Sequence, residues 1–205
     1  MPRLLKLTKR QKQVLKIIYR SVRSSGYPPT LADLRGELDV VSNQAVIDIL
    51  QSLENKGCIR REEGTARGIK ILVKGFESLS EKPLIPSLGF SAAGPYKDAF
   101  ENLDWQEVED LKTAQDVFIV DVTGDSMTGA GIEDGDKVII QQVKEFRNGD
   151  VVLARDNDGT TVKRLINSGG KIYLKPENPK YQNIPIYPET RLLGKVIGKI
   201  STESN

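Results

Sequence analysis

Gly124-Asp125-Ser126-Met127, then Gly131-Ile132-Glu133-Asp134-Gly135-Asp136, then Thr161-Val162-Lys163 are the stretches from which the rest of this 205-residue chain is read. A serine stands in a Gly-rich turn, a lysine follows in a strand-like run, and the chain has no histidine. A serine nucleophile needs a base. Without His a Ser-His-Asp triad is excluded, and a neutral lysine is the natural substitute. Gly-Asp-Ser and Asp-Gly-Asp are also ordinary turn sequences, because Gly supplies positive φ and Asp bonds its own backbone. The spacing alone therefore leaves two readings, a catalytic pair or two unrelated turns.

Around these stretches the pattern is that of strands. Runs at 117–122, 137–141, 150–154, 160–166, 171–174 and 191–200 are separated at short intervals by Gly and Asp turns, which predicts a compact all-β domain. On such a strand Thr161 shares a face with Lys163, either to orient its amine or as an ordinary strand threonine. Residues 74–86 hold Gly75, Ser78, Ser80, Pro83 and Pro86 among charges and show little periodicity, so they read as a linker. The expected organisation is a first domain over 1–73, a linker over 74–86 and the all-β domain over 87–205.

Charge separates the two domains further. Residues 1–75 carry 15 Lys/Arg against 7 Asp/Glu, and residues 76–205 carry 15 against 21, behind an overall net charge of +2. A basic third joined to an acidic remainder suggests a nucleic-acid-binding module attached to something else. The basic third reads as three helices and a hairpin. Thr8 and Gln11 form a capping box ahead of Val14, Leu15, Ile18 and Val22 at helical spacing, and Gly26 with Pro28-Pro29 ends that helix. Thr30 and Asp33 open a short second helix with Leu31, Leu34 and Leu38 inward. Ser42 caps a third, with Val46, Ile49, Leu50 and Leu53 inward and Gly57 as its stop. Residues 58–62 and 68–72 then alternate as two strands of a hairpin.

That order is a winged helix-turn-helix, in which the third helix enters the major groove and the hairpin lies along the backbone. Ser42, Asn43, Gln44, Asp48 and Gln51 are the candidate residues of the reading helix, Gln44 being near its N-terminus and able to pair with adenine N6/N7. Arg60, Arg61, Arg67 and Lys70 are expected at phosphates or in the minor groove. Ile47, at the edge of the apolar stripe, is placed in the core in preference to a thymine-methyl contact. The predicted fold class is α+β, an N-terminal winged helix-turn-helix domain plus a C-terminal all-β peptidase domain.

The remaining composition narrows the function. One cysteine, Cys58, excludes an intrachain disulfide and suits a reducing cytoplasm. No apolar stretch approaches the ~20 residues of a membrane span, which weakens a membrane-anchored signal peptidase as the Ser/Lys candidate. With no His and one Cys, no metal site and no cofactor are expected.

The whole string around Ser126 and Lys163 resembles the serine/lysine self-cleaving domain (peptidase S24-like) shared by LexA-type repressors, UmuD-type mutagenesis proteins and phage repressors. The match continues through Arg147-Asn148-Gly149-Asp150-Val151-Val152, Val162-Lys163-Arg164-Leu165 and Pro176-Glu177-Asn178. The first third resembles the LexA-type DNA-binding domain at Gly26-Tyr27-Pro28-Pro29-Thr30, Lys56-Gly57 and Arg67-Gly68-Ile69, so the resemblance covers nearly the whole chain. It departs at the start of the third helix. Gln44 takes the place of the family's base-reading Asn, and Ile47 that of an acidic residue, so a different operator sequence is expected.

The resemblance implies a catalytic pair of Ser126 and Lys163, backbone oxyanion donors at Asp125 and Ser126, and a scissile bond between Ala93 and Gly94 in the small-residue run Ser91-Ala92-Ala93-Gly94-Pro95. It also implies a transcriptional repressor of DNA-damage (SOS) genes that binds palindromic operators as a homodimer. Its inducing partner would be a RecA-type recombinase filament on single-stranded DNA, and its place the bacterial cytoplasm, at the nucleoid when bound. Three rivals are weighed. One is a phage-type self-cleaving repressor controlling lysogeny. Another is a non-cleaving dimeric DNA-binding regulator. The third is a UmuD-type polymerase accessory, which lacks a DNA-binding domain of the kind read here.

Overall fold

The structure is a computed structural model and describes residues 6–62, 64–88, 104–108, 116–156 and 159–200. The chain divides into two units, Met1–Ile85 with Phe100–Gln115 and Pro86–Ala99 with Asp116–Asn205. Among the described residues no helix is long and apolar enough to cross a membrane.

In the first unit the caps expected from sequence form. Thr8 Oγ1 accepts from the Gln11 N–H at 3.2 Å and the Gln11 side chain accepts from the Thr8 N–H at 3.0 Å, satisfying donors that the first turn of α1 (Lys9–Ser25) leaves unpaired. Gly26, at φ 80°, closes that helix in the left-handed conformation that costs glycine least. Thr30 and Asp33 repeat the capping box for α2 (Leu31–Glu37), and Ser42 caps α3 (Asn43–Asn55). β1 (Ile59–Arg61) and β2 (Ile69–Ile71) pair antiparallel, Arg60 opposite Lys70. Val14, Leu15 and Ile18 of α1, Leu34 of α2 and Val46, Leu50 and Leu53 of α3 close one core with Cys58 and Ile59, which fixes α3 by three apolar residues and leaves its opposite face outward.

Four sequence expectations differ from the structure. Leu31 is exposed: at the first position of a seven-residue helix it lies 60° round from Leu34, and Leu34 and Leu38 alone complete the inner face. Ile47 is half-buried and does not pack against the core, since its position 40° from Gln51 puts it on the shoulder of the polar stripe. Residues 74–86 are not a free linker. They hold most of α4 (Val73–Leu79), whose Phe76 and Leu79 are buried in the same core with Leu84, and the Phe76 ring meets Tyr19 edge-on at 6.1 Å. Gly75, which reads as a breaker, is there for contact: a Cβ at this position would lie 2.4 Å from the Cys58 carbonyl oxygen. β4 (Asp104–Glu107) also belongs to this unit, although the sequence reading put 87–205 in one domain. Trp105 packs on the core and its indole N–H donates to the Gly26 carbonyl at 2.7 Å.

The second unit is built on β5 (Val117–Asp121), β6 (Lys137–Gln141), β7 (Val151–Asp156), β8 (Gly159–Ser168), β9 (Lys171–Lys175), β10 (Ile184–Pro185) and β11 (Arg191–Ile200). Their order across the sheet is β10-β9-β8-β7-β11-β6-β5, and Ser87, at the end of β3 (Leu84–Ser87), pairs in parallel with Ile119 of β5. β11 thus lies between β6 and β7. Gly194 allows it, because a Cβ there would sit 2.6 Å from both the Gln141 carbonyl oxygen and the Ile140 side chain. Phe118, Val120, Val138, Ile140, Leu153 and Val162 form the core that supports the site, with Met127 and Ile132 folded onto it from the turn after β5.

Candidate active site and nucleic-acid interface

The turn after β5 leaves the sheet at Val122 and returns at Asp136. The Val122 N–H donates to the Asp136 carbonyl at 2.8 Å, the Gly135 N–H donates back to Val122 at 3.0 Å, and the Gly124 N–H donates to Asp134 Oδ1 at 2.7 Å. This closes an excursion whose apolar members, Met127 and Ile132, are buried and whose brim carries Ser126. Opposite Val152 in the β7–β8 ladder stands Lys163, only 6 % exposed. Its Nζ lies 2.8 Å from Ser126 Oγ, 2.7 Å from Thr161 Oγ1 and 2.9 Å from the Val162 carbonyl.

Burial lowers the Lys163 pKa from its ordinary 10.5, because removing an ammonium from water disfavours the charged form. Three acceptors surround the amine, one for each N–H of an ammonium. On losing its proton the amine keeps two N–H donors and gains a lone pair, so one contact must reverse direction. Only Ser126 and Thr161 have a hydroxyl with which to donate, and of these Ser126 is the nucleophile candidate. Deprotonation therefore converts Lys163 from a donor to Ser126 into the acceptor of its proton, which is the geometry of a general base. Between the two sequence readings of Thr161, the contact to Nζ favours the orienting one.

A second set of residues holds the Ser126 turn from behind. The Glu177 N–H donates to the Ser126 carbonyl at 2.9 Å, the Gly129 N–H donates to the Glu177 carbonyl at 2.7 Å, and Asn178 Nδ2 donates to the Asp125 carbonyl at 2.9 Å. The Tyr181 hydroxyl donates to Asp125 Oδ1. Arg164 Nε binds Glu177 Oε1 at 2.5 Å and so ties this loop to β8 beside Lys163. The Asp125 carboxyl is held below its usual range, first by the Tyr181 hydroxyl, then by its own backbone N–H, Lys180 and Asn178. Sequence reasoning quoted Pro176-Glu177-Asn178 only as a resemblance and missed Tyr181 entirely. Nothing in its spacing pointed 56 residues back to Asp125. The expected scissile bond, Ala93–Gly94, lies outside the described residues.

In the first unit Asn43, Gln44, Asp48 and Gln51 are exposed on α3 as a polar stripe, away from Val46, Leu50 and Leu53. Ser42 acts as the cap, its hydroxyl accepting from the Gln44 N–H at 3.1 Å. Gln44 Nε2 donates to Asp48 Oδ1 at 2.8 Å. The guanidinium of Arg67 lies over the Tyr27 ring, 3.7 Å from its centre, and Arg60 and Lys70 face each other across the hairpin. Arg61, also expected at phosphates, makes its contacts here within the unit. Its guanidinium is bound to Glu54 at 2.8 Å and to Gln51 Oε1 at 2.5 Å, because β1 follows α3 so closely that Arg61 reaches the helix before it reaches solvent.

Comparison with known proteins agrees with both halves. Residues 5–68 match the LexA DNA binding domain and residues 86–197 match the Peptidase S24-like family. The chain is 37% identical over 201 residues to the LexA repressor of Methylococcus capsulatus, covering 96% of this chain and 97% of that protein. It is 38% identical over 200 residues to the LexA repressor of a Geobacillus species, and 38% identical over 198 to that of Geotalea uraniireducens, each covering 94% of this chain and 96% of the relative. With a DNA-binding winged helix at one end, a serine beside a buried lysine at the other and relatives that match from end to end, the chain belongs to the LexA repressor family, the self-cleaving transcriptional repressors of the DNA-damage (SOS) response.

Proposed function

We propose that this chain binds palindromic operators as a homodimer and ends repression by cutting its own Ala93–Gly94 bond. The observation that carries the reading is the 2.8 Å approach of Lys163 Nζ to Ser126 Oγ at a buried amine of lowered pKa. Ser126 Oγ attacks the Ala93 carbonyl while neutral Lys163 takes its proton, and the resulting ammonium returns a proton to the departing Gly94 amine. Water then hydrolyses the acyl-enzyme. The backbone N–H groups of Asp125 and Ser126 donate to the oxyanion. A small residue at Ala93 suits a shallow pocket, and Gly94 lets the backbone approach the serine closely.

On the DNA side, Asn43, Gln44, Asp48 and Gln51 face the major groove, and Arg60, Arg67 and Lys70 run along the phosphates. Separating the operator-binding half from the dimerising half removes the gain from bivalent binding, so one cut per chain suffices for induction. A RecA-type filament on single-stranded DNA is the inducing partner, acting in the cytoplasm on a pool of repressor distributed over the nucleoid. Incubation of the purified chain at alkaline pH, with sequencing of the new N-terminus, tests the reading. A fragment beginning at Gly94, produced at a rate independent of protein concentration, is expected. A different terminus refutes the assignment of the bond, and no cleavage in any condition favours a non-cleaving regulator.

A further inference from the structure

β1 and β2 hold three residues each, and a two-stranded hairpin so short has no fixed attitude of its own. Its inner residues, Ile59 and Ile69, anchor one face to the core. On the side toward α3, a cleft of about 740 Å³ opens, lined by Leu31, Leu50, Gln51, Glu54, Arg61 and Ile69 among others, so apolar packing there does not fix the hairpin. Polar groups span it. The Glu54 carboxylate accepts from the Arg61 backbone N–H at 2.8 Å, from its Nε at 2.9 Å and from its NH2 group at 2.8 Å. The same NH2 group donates to Gln51 Oε1 at 2.5 Å.

A guanidinium carries donors only, so the Gln51 atom that faces Arg61 must be its carbonyl oxygen. The amide nitrogen of Gln51 donates to Asn55 Oδ1 at 3.1 Å, which leaves one N–H. Gln51 therefore stands on the exposed stripe of α3 with its amide held at both ends, one lone pair of Oε1 and one N–H remaining to offer. A free glutamine can turn its amide over and exchange donor for acceptor at a base edge, whereas this one is held with its oxygen toward Arg61.

We propose that Glu54 and Arg61 are positioning residues that hold the Gln51 amide in one orientation, so that Gln51 presents a fixed donor and acceptor to one base pair in each half of the operator. The inference rests on the reading above that α3 enters the major groove. It also runs against simple charge. Glu54 puts a carboxylate beside the DNA-binding face, so electrostatics alone makes its neutralisation strengthen binding to every sequence.

The test uses the full chain with Ser126→Ala to keep it whole. Wild-type residues elsewhere first select an operator from a randomised duplex pool. Glu54→Gln, Arg61→Lys and Gln51→Ala are then measured against that operator, its single-base variants and a scrambled duplex. Glu54→Gln is expected to bind the scrambled duplex as well as before or better, while the operator-to-scrambled ratio falls roughly five- to tenfold, the lower range for one misread base pair. The loss should fall at one base pair per half-site, the same one at which Gln51→Ala loses preference. Arg61→Lys keeps the charge but not the planar fork, and should relax the same position, which covers the case of a Glu54→Gln chain that fails to fold. Unaltered base preferences in Glu54→Gln and Arg61→Lys, or equal losses on operator and scrambled DNA, overturn the proposal. Failure of the parent chain to enrich any sequence instead overturns the operator-binding reading on which it stands.

Discussion

Replacing Lys163 with Met separates what the buried amine costs the fold from what it gives the chemistry. Burial lowers the Lys163 pKa, whereas the unfolded chain protonates this residue with the ordinary value of 10.5. Between those two values the unfolded state binds more protons than the folded state. The free energy of unfolding therefore rises with pH across that window, by up to about 1.4 kcal/mol per pH unit. The cost is fully present below the folded pKa and is gone above 10.5. In a Ser126→Ala background, which keeps the chain whole, Lys163→Met should unfold at higher denaturant concentration at neutral pH, and the gap should narrow toward pH 10.5. The two hydrogen bonds that the amine keeps in that background, to Thr161 and Val162, are lost with it and add an offset, so the slope is diagnostic and the intercept is not. In the chain with Ser126 intact, cleavage should rise about tenfold per pH unit and level off where the stability gap begins to narrow, because one pKa governs both curves. Urea unfolding and first-order cleavage rates, measured from pH 6 to 10.5 on the same preparations, give the two profiles. A stability gap independent of pH, or a flat rate profile over this range, refutes the buried-amine mechanism.

Thr161→Val removes an acceptor that favours the ammonium, so the midpoint of the cleavage profile should move to lower pH while its plateau falls, since the amine loses a hold at 2.7 Å; a pH–rate profile reads both. Asn178→Ala should cost about 0.5–1.5 kcal/mol in urea unfolding by removing one donor from the Asp125 carbonyl, which keeps the Thr128 hydroxyl, and should slow cleavage without moving the cut; an unchanged rate would show that the turn needs no such tether. Gly129→Ala puts a Cβ 2.3 Å from the Glu177 carbonyl oxygen, so it should depress cleavage sharply while operator binding, measured by mobility shift, stays intact. Phe76→Ala should destabilise the DNA-binding unit by about 3–5 kcal/mol, as followed by helical circular dichroism, an outcome that a free linker at 74–86 would not give.

How far the sequence could be read depended on how local the cause was. The caps at Thr8, Thr30 and Ser42 and the stop at Gly26 are set by residues within one turn of each other, and they form where expected. Strands β5 to β9 and β11 follow from alternation between Gly and Asp turns. α4 escaped because one buried turn built from Phe76 and Leu79 is too short to show a period, and Gly75 reads as a breaker until the Cys58 carbonyl is seen against it. β4 escaped for a different reason. Trp105 joins the first unit through Gly26, 79 residues earlier, and no local pattern reports such a contact. At the catalytic centre, residue type and family resemblance pointed to Ser126 and Lys163, while the tethers from Asn178 and Tyr181 became visible only with the fold. The ion pair of Arg61 with Glu54, the next-to-last residue of α3, was not read from the sequence, because its partners meet only across the turn into β1.

The place of β11 bears on when, during the life of a chain, the enzyme first exists. Lys195 pairs with Gln141 on one side and with Val152 on the other, so β11 is the seam between the β5–β6 half that carries the Ser126 turn and the β7–β8 half that carries Lys163. A ribosome makes both halves before it makes the seam. A nascent chain thus carries nucleophile and base in two hairpins whose joining strand, residues 191–200, is made after both. Contacts that span so much sequence form slowly, which lengthens the interval. The strand order therefore works as a timer. It puts completion of the sheet that carries Ser126 and Lys163 after synthesis of the helices that carry the DNA-binding face.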